Sequence, residues 1–284
     1  MGSKTVLVTG CSGGGIGASI ALALANRGHH VFASARSISR IPQQLSELSN
    51  VTLLTLDVTS PRSIIAAEQA VVDSGRELDI LINNAGAGYS MPVLDIDIDQ
   101  AKQVYEVNVW GVLRTTQIFA KQLIRNKGRV VNISTCGAVL NTPWISSYSS
   151  SKAALTCMSE TMRLELSPFG VSVVTIMAGI ITTHFHDNEA AFHLGETSRY
   201  AFIEDIIATW ASGQAKPKGT PPDLFAEQIV EDIVKSTKTG LLWRGAHAGM
   251  SRFVATWLPR TVRDALMCTG QGLKELAEYL RQGS

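Results

Sequence analysis

The chain has 284 residues, of which 45% are hydrophobic and 17% charged, enough to bury one large core or two small ones. Its formal net charge is +1 and no run of five like charges occurs, which argues against a nucleic-acid partner. Cys11, Cys136, Cys157 and Cys268 stand far apart with no C-x-x-C spacing, so reduced, buried thiols in an intracellular, cytoplasmic protein are expected.

The first expected strand, TVLVT at 5–9, starts so early that no signal peptide is expected ahead of it. No uncharged apolar stretch reaches the length of about 18 residues that a membrane-spanning helix needs. Val6-Leu7-Val8 runs into a glycine-rich turn, TGCSGGGIG at 9–17, and then into a helical pattern over 15–28. Strand, turn and helix in this order hold phosphate, because the first helical N–H groups are unpaired and glycines let the backbone approach a ligand. G-x-G-x-x-G cannot be placed on Gly10, Gly13, Gly14, Gly15 and Gly17, and the P-loop form fails at Ile16-Gly17, where Lys-Ser/Thr is required. Gly10, Ser12, Gly15, Ile16 and Gly17 are the expected pyrophosphate contacts, against a purely structural turn.

The second strand, HVFAS at 30–34, leads into FASARS. A dinucleotide site places an acid there for the ribose 2′-hydroxyl of NAD, or an arginine for the 2′-phosphate of NADP. No acid is present and Arg36 occupies the turn, with Arg40 behind it, which points to NADPH; a surface salt bridge is the competing role for Arg36. The third strand, 51–56, ends in Asp57-Val58 at the ligand crevice, where Asp57 can accept from an adenine amine. It could instead cap the helix at 61–75, a task open also to Thr59 or Ser60. The fourth strand, 78–82, runs into INNAGAG, whose Asn84, Ala85 and Gly86 suit a backbone packed against a cofactor, or simply a turn.

Further helices are expected at 98–126 and 147–168, and strands at 129–134 and 171–177. Gly28, Gly75, Gly128 and Gly170 stand at helix ends, as C-terminal caps do. Nearly continuous apolar strands alternating with helices predict an α/β fold: a single-domain, doubly wound Rossmann-type parallel sheet with helices on both faces. Beyond Thr183 the pattern changes. Residues 184–222 read as a loop-like substrate lid. His184, His186 and His193 lie in it, but no carboxylate or cysteine stands at ligand spacing, so no metal is expected. A helix resumes at 223–238, GLLWRG at 240–245 suits an edge strand, and 248–284 is an apolar, basic helical tail. Such a tail suits a packed helix pair, a dimer surface or a peripheral lipid surface.

SSYSSSKAAL sets Tyr148 and Lys152 at i and i+4 on one helix face. Free Tyr and Lys titrate near ~10 and ~10.4. A nearby cation favours tyrosinate, which suits proton transfer to a carbonyl oxygen as hydride arrives from a nicotinamide. An ordinary exposed helix pair is the competing reading.

Thr9-Gly10 with Gly15-Ile16-Gly17, Asn83-Asn84-Ala85-Gly86, Asn108 in VNVWG, NIST at 132–135, Tyr148/Lys152 and AGIIT at 178–182 occur in one order. Together, across residues 4–184, they closely resemble the short-chain dehydrogenases/reductases. The resemblance implies NAD(P), Tyr148 as proton donor for reduction, and Lys152 on the nicotinamide ribose. It also implies Asn108 anchoring a relay water, Asn84 beside the cofactor, Ile181 and Thr183 on the carboxamide, and homo-oligomers paired through 98–126 and 147–168. The family's carbonyl-holding Ser stands thirteen residues before the Tyr; here that position is Thr135, with Ser134 one earlier. A Thr hydroxyl has the same hydrogen-bonding capacity but a methyl that narrows the pocket. Successive strand side chains face opposite sides, so Thr135 is the expected holder and Ser134 is expected to point into the core. Ala178 replaces the family's Pro, which predicts a looser turn at Gly179, and the glycine turn is one residue longer than usual.

That longer turn, the SAR after the second strand and LLWRGAHAGM resemble a fungal subgroup typified by NADPH-dependent 1-acyldihydroxyacetone-phosphate reductase. The resemblance implies a ketoreductase for a lipid-like or polyketide-like small-molecule ketone. Alternatives are a reverse-running NADP-dependent alcohol dehydrogenase and a non-catalytic NADP(H)-binding regulator. Arg199, Lys216 and Lys218 are available for a substrate phosphate; Trp144, Phe185, Phe192, Tyr200, Phe202 and Trp210 are available for an aromatic ketone.

Overall fold

The computed structural model describes residues 2–183, 185, 192–235 and 237–282; His184 and His186 lie outside them. In chain order the elements are β1 (Thr5–Val8), α1 (Ile16–Ala25), β2 (His30–Ala35), α2 (Gln43–Ser46), β3 (Val51–Thr55) and α3 (Pro61–Asp73). Then come β4 (Ile80–Asn83), α4 (Ile98–Tyr105), α5 (Gly111–Arg125), β5 (Arg129–Thr135), α6 (Ser146–Leu166) and β6 (Ser172–Ala178). The last are α7 (Glu204–Ala211), α8 (Pro222–Val234), β7 (Gly240–Arg244), α9 (Ala248–Trp257), α10 (Arg260–Cys268) and α11 (Leu273–Gln282). Among the described residues seven strands form one parallel sheet, β3-β2-β1-β4-β5-β6-β7. The chain winds outward from β1 to β3 and then outward the other way from β4 to β7. A crevice therefore opens beyond the carboxyl ends of β1 and β4.

Alternate strand residues enter two apolar layers. Val6, Val8, Val31, Ile82, Val131 and Ile176 pack on Ile20 and Leu24 of α1 and on Phe225 and Ile229 of α8. Leu7, Phe32, Leu81, Val130 and Val173 pack on Ile64 of α3, Phe119 and Leu123 of α5 and Met162 of α6. Burial on both faces is why these strands read as unbroken apolar runs, and each fully buried Leu, Ile or Phe contributes about 1.5–3 kcal/mol.

Several expectations are revised. A π-helical turn, Glu106–Trp110, divides the helix expected at 98–126 into α4 and α5; one extra residue in a turn leaves the apolar period almost unchanged. The lid contains a helix, α7. Ser60 caps α3 by accepting the Ser63 N–H, which frees Asp57 from that task. Gly28, Gly75 and Gly170 adopt left-handed caps, but at the end of α5 it is Lys127, not Gly128, that has positive φ. Gly128 answers a different need, since a Cβ there would lie 2.4 Å from the Asp79 carbonyl oxygen. Cys11 and Cys136 are buried as expected, whereas Cys157 is exposed and Cys268 half-buried. Burial pushes the Cys11 thiol up to about 12 and Cys136 up to about 11. The tail is not a closed helix pair: α9 buries Ala248 and Val254, while α10 and α11 contain no fully buried residue. No described helix is long and apolar enough to cross a membrane.

Candidate active site

The glycine turn and the end of β4 are fused. Thr9 Oγ1 accepts the N–H groups of Asn84 and Ala85, both at 3.0 Å, and Asn84 Nδ2 donates to the carbonyls of Thr9 (2.8 Å) and Gly10 (3.1 Å). A Cβ on Gly17 would lie 2.4 Å from Asn84 Nδ2, and one on Gly10 would lie 2.8 Å from the Ala85 Cα. The Asn84 carboxamide is thus spent on holding the turn. Thr9 is its counterpart, a structural role that motif spacing alone did not expose.

Gly15 is the N-cap of α1 and no side chain caps this end, which leaves first-turn N–H groups facing the crevice. The Gly15 N–H folds back onto the Ser12 carbonyl (3.2 Å), and the Gly13 N–H donates to the Arg40 carbonyl (2.9 Å). The long turn therefore leans on the loop that carries the cations. Arg36 is exposed at the end of β2 and makes no ion pair among the described residues. Backbone without Cβ, uncapped N–H groups and a neighbouring guanidinium fit the pyrophosphate and 2′-phosphate of a dinucleotide. Asp57 Oδ1 accepts from the N–H (2.9 Å) and hydroxyl (2.8 Å) of Thr59. Val58 is buried, and its side chain packs where Gly111 passes, so only its backbone can face an adenine.

Asn108 lies in the π turn and is fully buried. Its Oδ1 accepts the Ala87 N–H (2.9 Å), and its Nδ2 donates to the Ala87 carbonyl and to Ser151 Oγ, both at 2.9 Å. The Ser151 hydroxyl in turn donates to the Tyr148 carbonyl (2.7 Å). Asn108 thereby ties the segment after β4 to α6, and its amide has no hydrogen left for a water.

Lys152 is only 5% exposed, which overturns the surface-pair reading. Its Nζ donates to the Ile133 carbonyl (2.9 Å), and a Cβ on Gly86 would lie 3.6 Å from it. Burial lowers the Lys152 ammonium from 10.5 to about 8. Tyr148, one helical turn earlier, is half-buried, with its ring 5.7 Å from that of Phe185. The alternation at the end of β5 separates the two hydroxyls. Ser134 is buried, with Oγ 2.7 Å from Thr156 Oγ1 of α6. Thr135 is half-exposed and its Oγ1 accepts the Gly137 N–H, at 3.2 Å.

The turn after β6 is pinned rather than loose. The Gly179 N–H donates to the Arg244 carbonyl (2.9 Å) and the Ile180 N–H to the Ala246 carbonyl (3.0 Å), so the end of β7 does what a proline would otherwise do. The Thr220 N–H donates to the Ile180 carbonyl, and the Thr182 N–H to the Thr220 carbonyl. These bonds flank Ile181 and turn its own N–H and C=O away from Thr220. Thr183 Oγ1 accepts the Phe185 N–H (3.3 Å).

Most lid aromatics do not stand ready for a substrate. Trp144 is buried with Leu194, Ile203 and Ile207; Phe192, Tyr200, Trp210, Leu273 and Leu276 pack around this cluster. Indole N–H groups clamp the turn between α10 and α11: Trp144 donates to the Gln271 carbonyl (3.1 Å) and Trp210 to the Gly270 carbonyl (2.8 Å). Phe202 stacks on Tyr279 at 4.0 Å. Phe185 alone among the six is seen against the Tyr148 ring. His193 pairs with Glu204 at 3.1 Å.

Comparison with known proteins bears on this geometry. The short chain dehydrogenase family profile matches residues 4–193. A short-chain dehydrogenase of Penicillium ochrochloron is 40% identical over 274 residues, 96% of this chain and all of the relative. The NADPH-dependent 1-acyldihydroxyacetone phosphate reductase of Schizosaccharomyces pombe is 42% identical over 205 residues, 72% of this chain and 67% of the relative. A crystal structure of a short chain dehydrogenase from Burkholderia cenocepacia in complex with NADP superposes with a TM-score of 0.74 at 25% identity, over 94% of this chain and 98% of that one.

Proposed function

Since the chain belongs to the short-chain dehydrogenase family of oxidoreductases, we propose that it is an NADPH-dependent carbonyl reductase acting on a hydrophobic ketone. The observation that carries this reading is the buried Lys152 set one helical turn below the half-exposed Tyr148, at the crevice where the glycine turn opens. Gly10, Ser12, Gly15, Ile16 and Gly17 hold the pyrophosphate, Arg36 meets the 2′-phosphate, and Asp57 with the Val58 backbone takes the adenine. Asn84, Ala85 and Gly86 line the groove, and Ile181 and Thr183 hold the carboxamide. The Burkholderia complex with NADP and the NADPH-dependent yeast relative support this cofactor for the present chain. A bound nicotinamide dinucleotide supplies the hydride.

The chain's own residues handle the proton. Tyr148 donates its phenolic hydrogen to the carbonyl oxygen, which Thr135 Oγ1 orients as a second donor. Lys152 holds the nicotinamide ribose, and its ammonium favours the tyrosinate left behind. Both Asn108 amide hydrogens are used, and we assign the relay water to the Asn108 backbone carbonyl in the π turn. Phe185 supplies an apolar wall beside Tyr148. Arg199 and Lys218 are exposed, and apolar and aromatic side chains make up the Trp144 cluster, which supports an uncharged ketone over a phosphate ester.

Two contacts extend the proposal. Met250, Phe253 and Trp257 stand at i, i+3 and i+7 on α9 and are mostly exposed, Trp257 at 74%, which supports peripheral lipid contact. Trp110 and Leu164 expose apolar surface along the α5 and α6 side, which supports self-association there.

NADPH oxidation measured side by side on tetralone and on acyl-dihydroxyacetone phosphate tests substrate and activity together. Tyr148→Phe is expected to keep NADPH binding and to lose about 10²–10⁴ in turnover. Near-normal turnover in that variant would sink the mechanism, and faster turnover of the phosphate ester would overturn the substrate reading.

A further inference from the structure

The turn Gly270-Gln271-Gly272 joins α10 to α11 under the lid. Both glycines are left-handed, with φ of 70° and 82°, and the carbonyls of Gly270 and Gln271 are taken by Trp210 and Trp144. This geometry presses the Gln271 side chain inside, where the residue is only 3% exposed. Glutamine is ordinarily a surface residue, and a buried one ordinarily finds partners. Here Oε1 is sealed from solvent with no hydrogen-bond partner among the described residues. Apolar side chains pack around this turn: Ile203 lies 3.2 Å from a Cβ placed on Gly272, and Leu194, Ile207 and Leu273 share the Trp144 cluster.

The neighbouring strain points the same way. Trp144 has a φ of 70°, a conformation that a bulky residue adopts only when its surroundings impose it. Two contacts impose it: the Met91 N–H donates to its carbonyl (2.6 Å), and its own indole reaches the Gln271 carbonyl. Met91 belongs to the segment that follows Gly86, and Trp144 stands four residues before Tyr148. The Ser198 hydroxyl fastens the lid to Asp95 of that same segment, at 2.7 Å. The Gln271 turn is thus the place where the lid, the segment after β4 and the entry to α6 meet.

We propose that the Gln271 carboxamide is a specificity-determining residue that anchors a hydroxyl or phenol of the substrate, at the end remote from the reacting carbonyl. The idea rests on the carbonyl-reductase reading and deepens it by naming the substrate class, a neutral hydroxylated ketone. An amide offers one acceptor and two donor hydrogens, and a hydroxyl both donates and accepts, so one such group completes Oε1. A phosphate would bring charge against the apolar side chains of the Trp144 cluster.

The test is a binding titration of tetralone and hydroxytetralone to the NADPH-loaded Tyr148→Phe protein, with Gln271 intact and as Gln271→Leu. The ratio of affinities, hydroxytetralone over tetralone, is expected to fall about tenfold in Gln271→Leu. Tm is expected to hold or rise, because an apolar side chain replaces an unsatisfied one. Gln271→Glu, which keeps the shape but brings a charge, is expected to weaken both ketones. An equal ratio in the two proteins, or no preference for hydroxytetralone with Gln271 intact, overturns the anchor. So does an unchanged ratio with a lowered Tm, the mark of a structural buried water. Turnover of the same ketones by the unmutated enzyme is read separately. Its absence defeats the reductase reading, while a shifted affinity ratio still upholds the anchor.

Discussion

Along the sheet, alternate strand residues enter two apolar layers that end at the crevice, whereas α7 and α11 meet through a small, partly buried cluster around Trp144. In the first region local periodicity sets which way the proposed catalytic side chains face: Thr135 at the end of β5, Tyr148 and Lys152 one turn apart on α6. In the second, each group is positioned by a partner far along the chain, as Trp144 is by Gln271 and Phe202 by Tyr279. The lesson is a division of labour. On the proposed reading the sheet half carries the reaction, while the lid and tail carry selectivity.

The largest effect is expected in the sheet half. Lys152→Met should lower turnover about a thousandfold without lowering Tm, since it removes a buried ammonium along with its catalytic role. Its proton linkage gives a second readout. Folding lowers the Lys152 pKa from 10.5 to about 8, so the folded chain binds that proton more weakly than the unfolded chain. The penalty is full below pH 8 and is relieved as pH rises from about 8 to 10.5, by up to about 3 kcal/mol. Denaturation of the ligand-free chain across that window should show the rise, and Lys152→Met should flatten it. A Tm drop in the variant at neutral pH would mean that the lysine stabilises the site instead.

Thr135→Val is expected to cost about a hundredfold in kcat/KM, as the loss of one donor aimed at a reacting oxygen does, and Thr135→Ser to be tolerated. A harmless valine would return the role to Ser134, despite its bond to Thr156. Truncation after Cys268 removes Leu273 and Leu276 from the lid cluster. Losing even one such burial should raise KM about tenfold or more, with NADPH affinity unchanged. A matching loss of NADPH affinity would break the division between the two regions. Arg36→Asp should shift the NADPH over NADH preference about tenfold by removing one charged hydrogen bond. An unchanged ratio would place 2′-phosphate recognition elsewhere, with Arg40 next to be tested.

Much of this was legible in the amino-acid order. The α/β alternation, the glycine turn and the Tyr148/Lys152 spacing are local, because strand and helix periods place side chains by counting residues. The preference for Thr135 over Ser134 followed from the same counting. What the tertiary structure decided is burial and partnership, which depend on residues distant in sequence. It buried Lys152, against the competing reading of an exposed pair, spent the amide hydrogens of Asn84 and Asn108 on the scaffold, and inserted a π turn where the apolar pattern looked continuous. It also drew most of the lid aromatics onto the tail and left the Gln271 Oε1 buried without a hydrogen-bond partner among the described residues. None of these has a periodic signature, because whether a polar or aromatic group is satisfied is settled only when remote segments meet and water leaves between them.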